Sequence, residues 1–180
     1  VATALQAHSE YLGEILVRHG VLTADRIPPL VQTVREKGQG LVDILVIGKL
    51  ADERAIAQAL ANECGLGFMQ KIDVDAIPDT VASKVPITYA KQHRIFPLAE
   101  HADVVYCVTA DPLDVTAIDD VRALFGKRIE LAVATSETVL DAINRVWERK
   151  ETGGNLEGDQ ANEEDQIVDI LDSDDEAPII

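Results

Sequence analysis

Tyr11-Leu12-Gly13-Glu14-Ile15-Leu16 returns 29 residues later as Gly40-Leu41-Val42-Asp43-Ile44-Leu45, and that echo decides the fold of the first third of the chain. Leu12, Ile15 and Leu16 correspond to Leu41, Ile44 and Leu45. Further on, Val21, Ile27 and Val31 correspond to Leu50, Ile56 and Leu60. Apolar residues three and four apart mark one face of a helix. A turn falls near Gly20 and again near Gly48, and Thr23 and Asp52 stand where a side-chain oxygen can cap the helix that follows. Each unit reads as a short helix, a turn and a longer helix. One such hairpin cannot bury its own apolar face, so the two predict a small bundle over residues 8–68. Pro28-Pro29 suits only the first turn of a helix, so the longer helix of the first unit starts near Ile27 or is distorted there.

Beyond this bundle the pattern changes. Asp79–Lys84 and Thr88–His93 read as short helices with Pro86 between them. Arg94–Ala99 and Val104–Thr109 are apolar, β-branched runs joined by a polar turn at Glu100–Asp103, the signature of a hairpin. Val115, Ile118, Val121 and Leu124 fall at three-residue steps and predict a helix over Val115–Phe125. Ile129–Ala134 reads as a third strand, and Ser136 is placed to cap a helix running to about Lys150 on the face Val139, Ile143 and Val146. The fold class expected is therefore α+β: an amino-terminal helical bundle from a duplicated hairpin, then a small α/β unit over residues 69–150 with a mixed three-stranded sheet.

The formal net charge is −16 over 180 residues, but it is unevenly spread. Residues 151–180 carry −11 and no Lys or Arg, leaving −5 on the rest. Neither part has the concentrated basic face that duplex DNA or RNA requires. Thr152-Gly153-Gly154-Asn155 followed by acids predicts a linker over 151–180, mobile in its first half, because such a composition cannot offset the entropy of ordering. The apolar groups Ile167–Leu171 and Ala177–Ile180 within it predict that the natural protein continues. No apolar run reaches the roughly 18–20 residues of a membrane span, and residues 1–10 lack the basic and apolar regions of a secretory signal. A cytoplasmic setting is expected.

A search for chemistry yields no constellation. No glycine-rich run precedes Lys-Ser or Lys-Thr, so no phosphate-cradling loop is expected. His8, His19, His93 and His101 are scattered without metal-ligand spacing; His19 and His93 read as surface residues at helix ends, where an imidazole favours the carbonyl end of the dipole. Cys107, between Tyr106 and Val108, reads as a small buried apolar residue. Cys64, just before Gly65, has no basic neighbour to activate it. Asp119-Asp120 and Glu163-Glu164 read as solvated charge runs. The chain is accordingly expected to hold no catalytic, cofactor-binding or metal-binding residues of its own.

Several runs together resemble the amino-terminal domain of the type II secretion and type IV pilus assembly ATPases, the GspE and PilB type. They are Leu12-Gly13-Glu14-Ile15-Leu16 with Gly20-Val21-Leu22-Thr23, Ile56–Ala61 with Cys64-Gly65-Leu66-Gly67-Phe68, Ile77-Pro78 through Lys84-Val85-Pro86, Tyr89-Ala90, Ile95-Phe96-Pro97-Leu98, Val108-Thr109-Ala110-Asp111-Pro112 and Arg145-Val146-Trp147. Ala177-Pro178-Ile179-Ile180 is similar to the entry of that family's next domain. The resemblance implies an adaptor that docks a cytoplasmic motor onto an inner-membrane protein with an actin-like cytoplasmic domain (GspL-like), or onto the pilus equivalent. It also implies a hexameric parent whose ATP and Mg belong to domains outside this chain. Some family members bind cyclic di-GMP through the double repeat, using an Arg-Leu-Gly opening and a late Gln in each unit. Here Tyr11 and Gly40 stand at the Arg positions, and Val34 and Glu63 at the Gln positions. An anionic ligand deprived of its bidentate Arg contacts is expected to bind weakly at best.

Overall fold

The computed structural model describes residues 4–153. Four helices come first: α1 (Ala4–Arg18), α2 (Ile27–Lys37), α3 (Leu41–Ile47) and α4 (Glu53–Cys64). The duplication is carried in the backbone itself. In the first unit His19 N–H bonds to Ile15 C=O, Gly20 to Val17 and Val21 to Leu16; in the second, Gly48 bonds to Ile44, Lys49 to Val46 and Leu50 to Leu45. All three bonds recur at the sequence offset of the repeat. The Asp52 carboxylate caps α4 by accepting from Ala55 N–H at 3.1 Å. Thr23 makes no side-chain cap; it is extended and leads into a 3₁₀ turn at Ala24–Arg26. Helix α2 then starts at Ile27, placing Pro28 and Pro29 where their missing N–H groups forfeit no intrahelical bond.

The second part begins earlier than the sequence pattern indicates. Gly67–Phe68 forms a strand, β1, that pairs with the far end of the chain. Then come α5 (Asp79–Ala82), α6 (Ile87–His93), β2 (Ile95–His101), β3 (Val104–Thr109), α7 (Val115–Phe125) and β4 (Arg128–Val133). A last helix, α8, spans 136–153. The sheet order is β1-β4-β3-β2, four strands rather than the three expected. It is mixed: β2 and β3 are antiparallel with an irregularity between Pro97 and Ala99, while β4 lies parallel to both β3 and β1. A strand of two residues carries no alternation, which is why the pattern gives no sign of it.

The caps of the two later helices differ in how far the sequence pointed to them: none was expected for α7, and Ser136 was expected for α8. Asp114 caps α7 through Ala117 N–H at 3.1 Å. Helix α8 is capped by Thr135, whose hydroxyl accepts from Thr138 N–H at 3.1 Å, and not by Ser136, which is buried. Helix α8 also runs on through 151–153, into the stretch expected to open the linker. The remainder of that stretch, including Ile167–Leu171 and Ala177–Ile180, lies outside the described residues. At its carboxyl end Arg149 donates to Val74 C=O and Ile77 C=O at 3.0 Å each, and to Asp79 Oδ1 at 2.6 Å.

Apolar burial holds each part together. Leu12, Ile15, Leu16, Val34, Leu45 and Leu60 form the helical core; Phe96, Val105, Val108, Val121 and Ile143 form that of the sheet. Each large side chain taken from water contributes about 1.5–3 kcal/mol. A smaller cluster bridges the two: Ala57 and Ala61 of α4 pack on Val133 of β4, beside Leu66 and Phe68. Small residues on α4 let the helix approach the sheet closely. Among the described residues no helix is long and apolar enough to cross a membrane.

Candidate functional site

Folding places the ligand-motif positions in the helical repeat, several of them in its core. Leu12 and Leu41 are core residues, and Val34 is buried with them. Gly13 is buried beside Ile27, where an added Cβ would stand at an ordinary contact distance of 3.5 Å. Tyr11 is about half exposed, and Gly40 is the residue before α3. Glu63 is already engaged: its carboxylate accepts from Arg18 and, at 2.8 Å, from His19 Nε2. The His19 hydrogen bond and the Arg18 charge hold the Glu63 carboxyl below the usual carboxylate range.

What the fold brings together instead is a charged seam where the repeat meets the sheet. Leu12 of the first unit and Gly40-Leu41-Val42-Asp43 of the second border a small cavity of about 100 Å³, faced by His93, Arg94, Asp111 and Asp114. Two ion pairs cross this seam: His8 Nε2 to Asp111 Oδ2 at 2.6 Å, and Arg94 Nη2 to Asp43 Oδ1 at 2.6 Å. A third, His93 Nδ1 to Asp114 Oδ2 at 3.0 Å, lies within the sheet part. Asp111 is preset for its role, since its Oδ1 accepts from Leu113 N–H at 3.0 Å and its backbone is tied to the Thr109 hydroxyl. The hydrogen bond to Asp111 raises the His8 pKa above its ordinary value, although burial opposes the shift. Arg94 itself sits at φ 49°, a left-handed conformation that turns the chain sharply from α6 into β2.

Each acid at the seam faces a base, Asp43 with Arg94, Asp111 with His8 and Asp114 with His93, so the charges are spent on holding the two parts together. The cavity is far smaller than the roughly 300–1,000 Å³ of small-molecule sites. Ser9 Oγ and Arg94 Nε are buried there or nearby without a hydrogen-bond partner. The two histidines expected as surface residues at helix ends stand at the ends of α1 and α6, and each is tied to a carboxylate on another element, His19 to Glu63 and His93 to Asp114. His8, which drew no role from the sequence, makes one of the two bridges. Cys107 is buried and its thiol is pushed up to about 12 by that burial, while burial followed by the Glu63 charge raises Cys64. Among the described residues no group of three or more His, Cys, Asp or Glu could hold a metal ion.

The architecture defines an amino-terminal domain of the secretion-ATPase type. It is similar to the solved N-terminal domain of XpsE, with a TM-score of 0.63 at 26% identity over 81% of this chain and 98% of that one. The fold is also that of MshE, solved with cdg, with a TM-score of 0.58 at 21% identity over 75% of this chain and 97% of that one. Residues 64–153 match the family model of the MshEN domain, and the chain belongs to that family. Among curated relatives, the type IV pilus assembly ATPase PilB of Myxococcus xanthus is 26% identical over 179 residues, 94% of this chain and 31% of the relative. The type II secretion system protein E of Xanthomonas campestris pv. campestris is 29% identical over 160 residues, 83% of this chain and 28% of the relative. The chain thus spans less than a third of the length of these relatives.

Proposed function

We propose that this chain is the docking domain of a secretion or pilus ATPase, tethering a cytoplasmic motor to an inner-membrane partner with an actin-like cytoplasmic domain. The observation that carries this reading is its likeness to the XpsE N-terminal domain over nearly the whole of that domain. A domain that spans a fraction of its motor relatives and whose seam acids and bases are paired with one another is suited to binding. Binding and hydrolysis of ATP with Mg, and assembly into a hexamer, are assigned to the rest of the parent protein. The domain would then sit in the cytoplasm, peripheral to the inner membrane through its partner.

Calorimetric titration against the purified cytoplasmic domain of that partner tests the reading. Saturable heat with a stoichiometry near one supports it, and no heat from a folded sample overturns it. ATP turnover by the chain, with contaminating ATPases excluded, would overturn the assignment of hydrolysis elsewhere.

The likeness to the MshE fold favours a second reading, a site for cyclic di-GMP. Against it stand Tyr11 and Gly40 without guanidinium groups, a buried Val34, and a Glu63 carboxylate that would face a dianion. A titration with cyclic di-GMP is expected to give no heat; binding in the micromolar range or tighter would restore this reading.

A further inference from the structure

We propose that the turn Ile47–Leu50 between α3 and α4 is the contact through which the domain meets its partner, and that the matching surface is a carboxylate set among apolar side chains. This rests on the docking reading above and names the surface that performs it.

The inference comes from comparing two turns that share one backbone. Three hydrogen bonds closing the first turn recur in the second, and one, Leu22 N–H to Leu16 C=O at 3.3 Å, does not; the chief remaining differences lie in side chains and in glycine placement. In the first, glycine occupies the left-handed position, Gly20 at φ 73°. Both basic side chains beside it, Arg18 and His19, are bound to Glu63. In the second, glycine has moved one residue earlier. The left-handed position is filled by Lys49 at φ 53°, a conformation that side chains rarely adopt.

The displaced glycine has a clear use. A Cβ on Gly48 would lie 3.0 Å from Ile44 C=O and 3.3 Å from Leu50 Cγ, so its absence lets the Leu50 side chain lie across the turn. The outcome is an unusual surface. Ile47 is 73% exposed and Leu50 44%, and they flank an exposed Lys49 that has no ion-pair partner among the described residues. The first turn shows solvent Arg18 and His19 at the positions of Ile47 and Gly48.

Backbone strain tolerated at a water-exposed site points to a use outside the domain. Two apolar side chains on a closed turn form a preorganised anchor that loses little entropy on binding. The unpaired ammonium between them selects the occupant, since an apolar partner surface without a carboxylate would bury that charge uncompensated. The formal charge of residues 1–150 is negative, so the attraction for an acidic partner is local to this turn.

The test is the calorimetric titration above, repeated with Ile47→Asp, Lys49→Glu, Lys49→Gly and, as the control on the first turn, Arg18→Gln, each checked for folding by circular dichroism. The expected result is at least tenfold weaker binding for Ile47→Asp and Lys49→Glu, several-fold weaker for Lys49→Gly, and less than twofold change for Arg18→Gln. Lys49→Gly relieves the backbone while removing the cation, so weakened binding without lost stability separates recognition from folding. Unchanged affinity in both second-turn charge variants overturns this inference and leaves docking standing. Equal losses in Arg18→Gln and Ile47→Asp overturn it as well. Failure of the unsubstituted chain to bind overturns the docking reading, and this inference with it.

Discussion

The two hairpin turns of the helical repeat, at Arg18–Val21 and Ile47–Leu50, are the same piece of backbone put to different ends. The first is charged, bridged to α4 through Glu63, and has its glycine where the left-handed residue falls. The second sets a lysine between two exposed apolar side chains, is unbridged among the described residues, and has its glycine one position away from where the backbone asks for it. Duplication supplied a scaffold, and the copies then diverged at the solvent-facing positions while the core-facing ones stayed apolar.

If the copies are equivalent scaffolds, their cores should fail alike. Leu16 and Leu45 are repeat-related and fully buried, so Leu16→Ala and Leu45→Ala should each lose about 2–5 kcal/mol. Denaturant unfolding of both variants checks this, and a difference larger than the spread of that range would break the equivalence. The turns themselves should respond with opposite signs. Gly20→Ala places a Cβ at φ 73° and should cost about 1–2 kcal/mol, whereas Lys49→Gly should stabilise by a few tenths to about 1 kcal/mol, the extra freedom of unfolded glycine offsetting part of the relief. Two stabilities moving in the same direction would mean that the shared hydrogen bonds do not impose a shared conformation.

Smaller effects sharpen the contrast in charge. The folded Glu63 pKa is depressed, so its contribution is present above the ordinary carboxylate pKa and is lost as pH falls through the folded value. Glu63→Gln should therefore lower the melting temperature slightly at neutral pH, and the difference should vanish in acid. His8 at the seam behaves oppositely. Its folded pKa is raised, so its contribution is complete below the ordinary histidine pKa and is lost as pH rises through the folded value. A pH series of melting temperatures for His8→Gln should show the deficit under mildly acidic conditions and its disappearance at alkaline pH. Smallest of all, Ile47→Ser should leave stability within about 0.5 kcal/mol, because that side chain is 73% exposed.

The sequence disclosed what repeats at short range. The existence of α1 to α4 follows from periodicity, and the bounds Val104–Thr109 and Val115–Phe125 match the sequence pattern. The short-then-longer order holds in the second unit but is reversed in the first, where α1 has 15 residues and α2 11, and of the two alternatives left by Pro28-Pro29 the late start is the one found. Features that depend on distant partners were hidden. Strand β1 exists because Gly67 and Phe68 meet Ala132 and Val133, a pairing that two residues cannot announce. His8 and Asp111 are 103 residues apart, and His19 and Glu63 are 44, so their pairing belongs to the fold and not to any local pattern. Ser136 reads from the sequence as the cap of α8, but it is buried, and the neighbouring Thr135 hydroxyl is the one that faces Thr138 N–H.

The Arg149 contacts give helix α8 a mechanical character. An 18-residue helix is a rod of about 27 Å, and Arg149 pins this one near its exit to two carbonyls and a carboxylate of the segment 74–79. A pull or twist applied at residue 153 is thereby shared with that segment before it reaches the sheet. Through these contacts α8 acts as a stiff strut braced at Arg149, so that a torque applied at residue 153 would be borne by the segment 74–79 as well as by the helix itself.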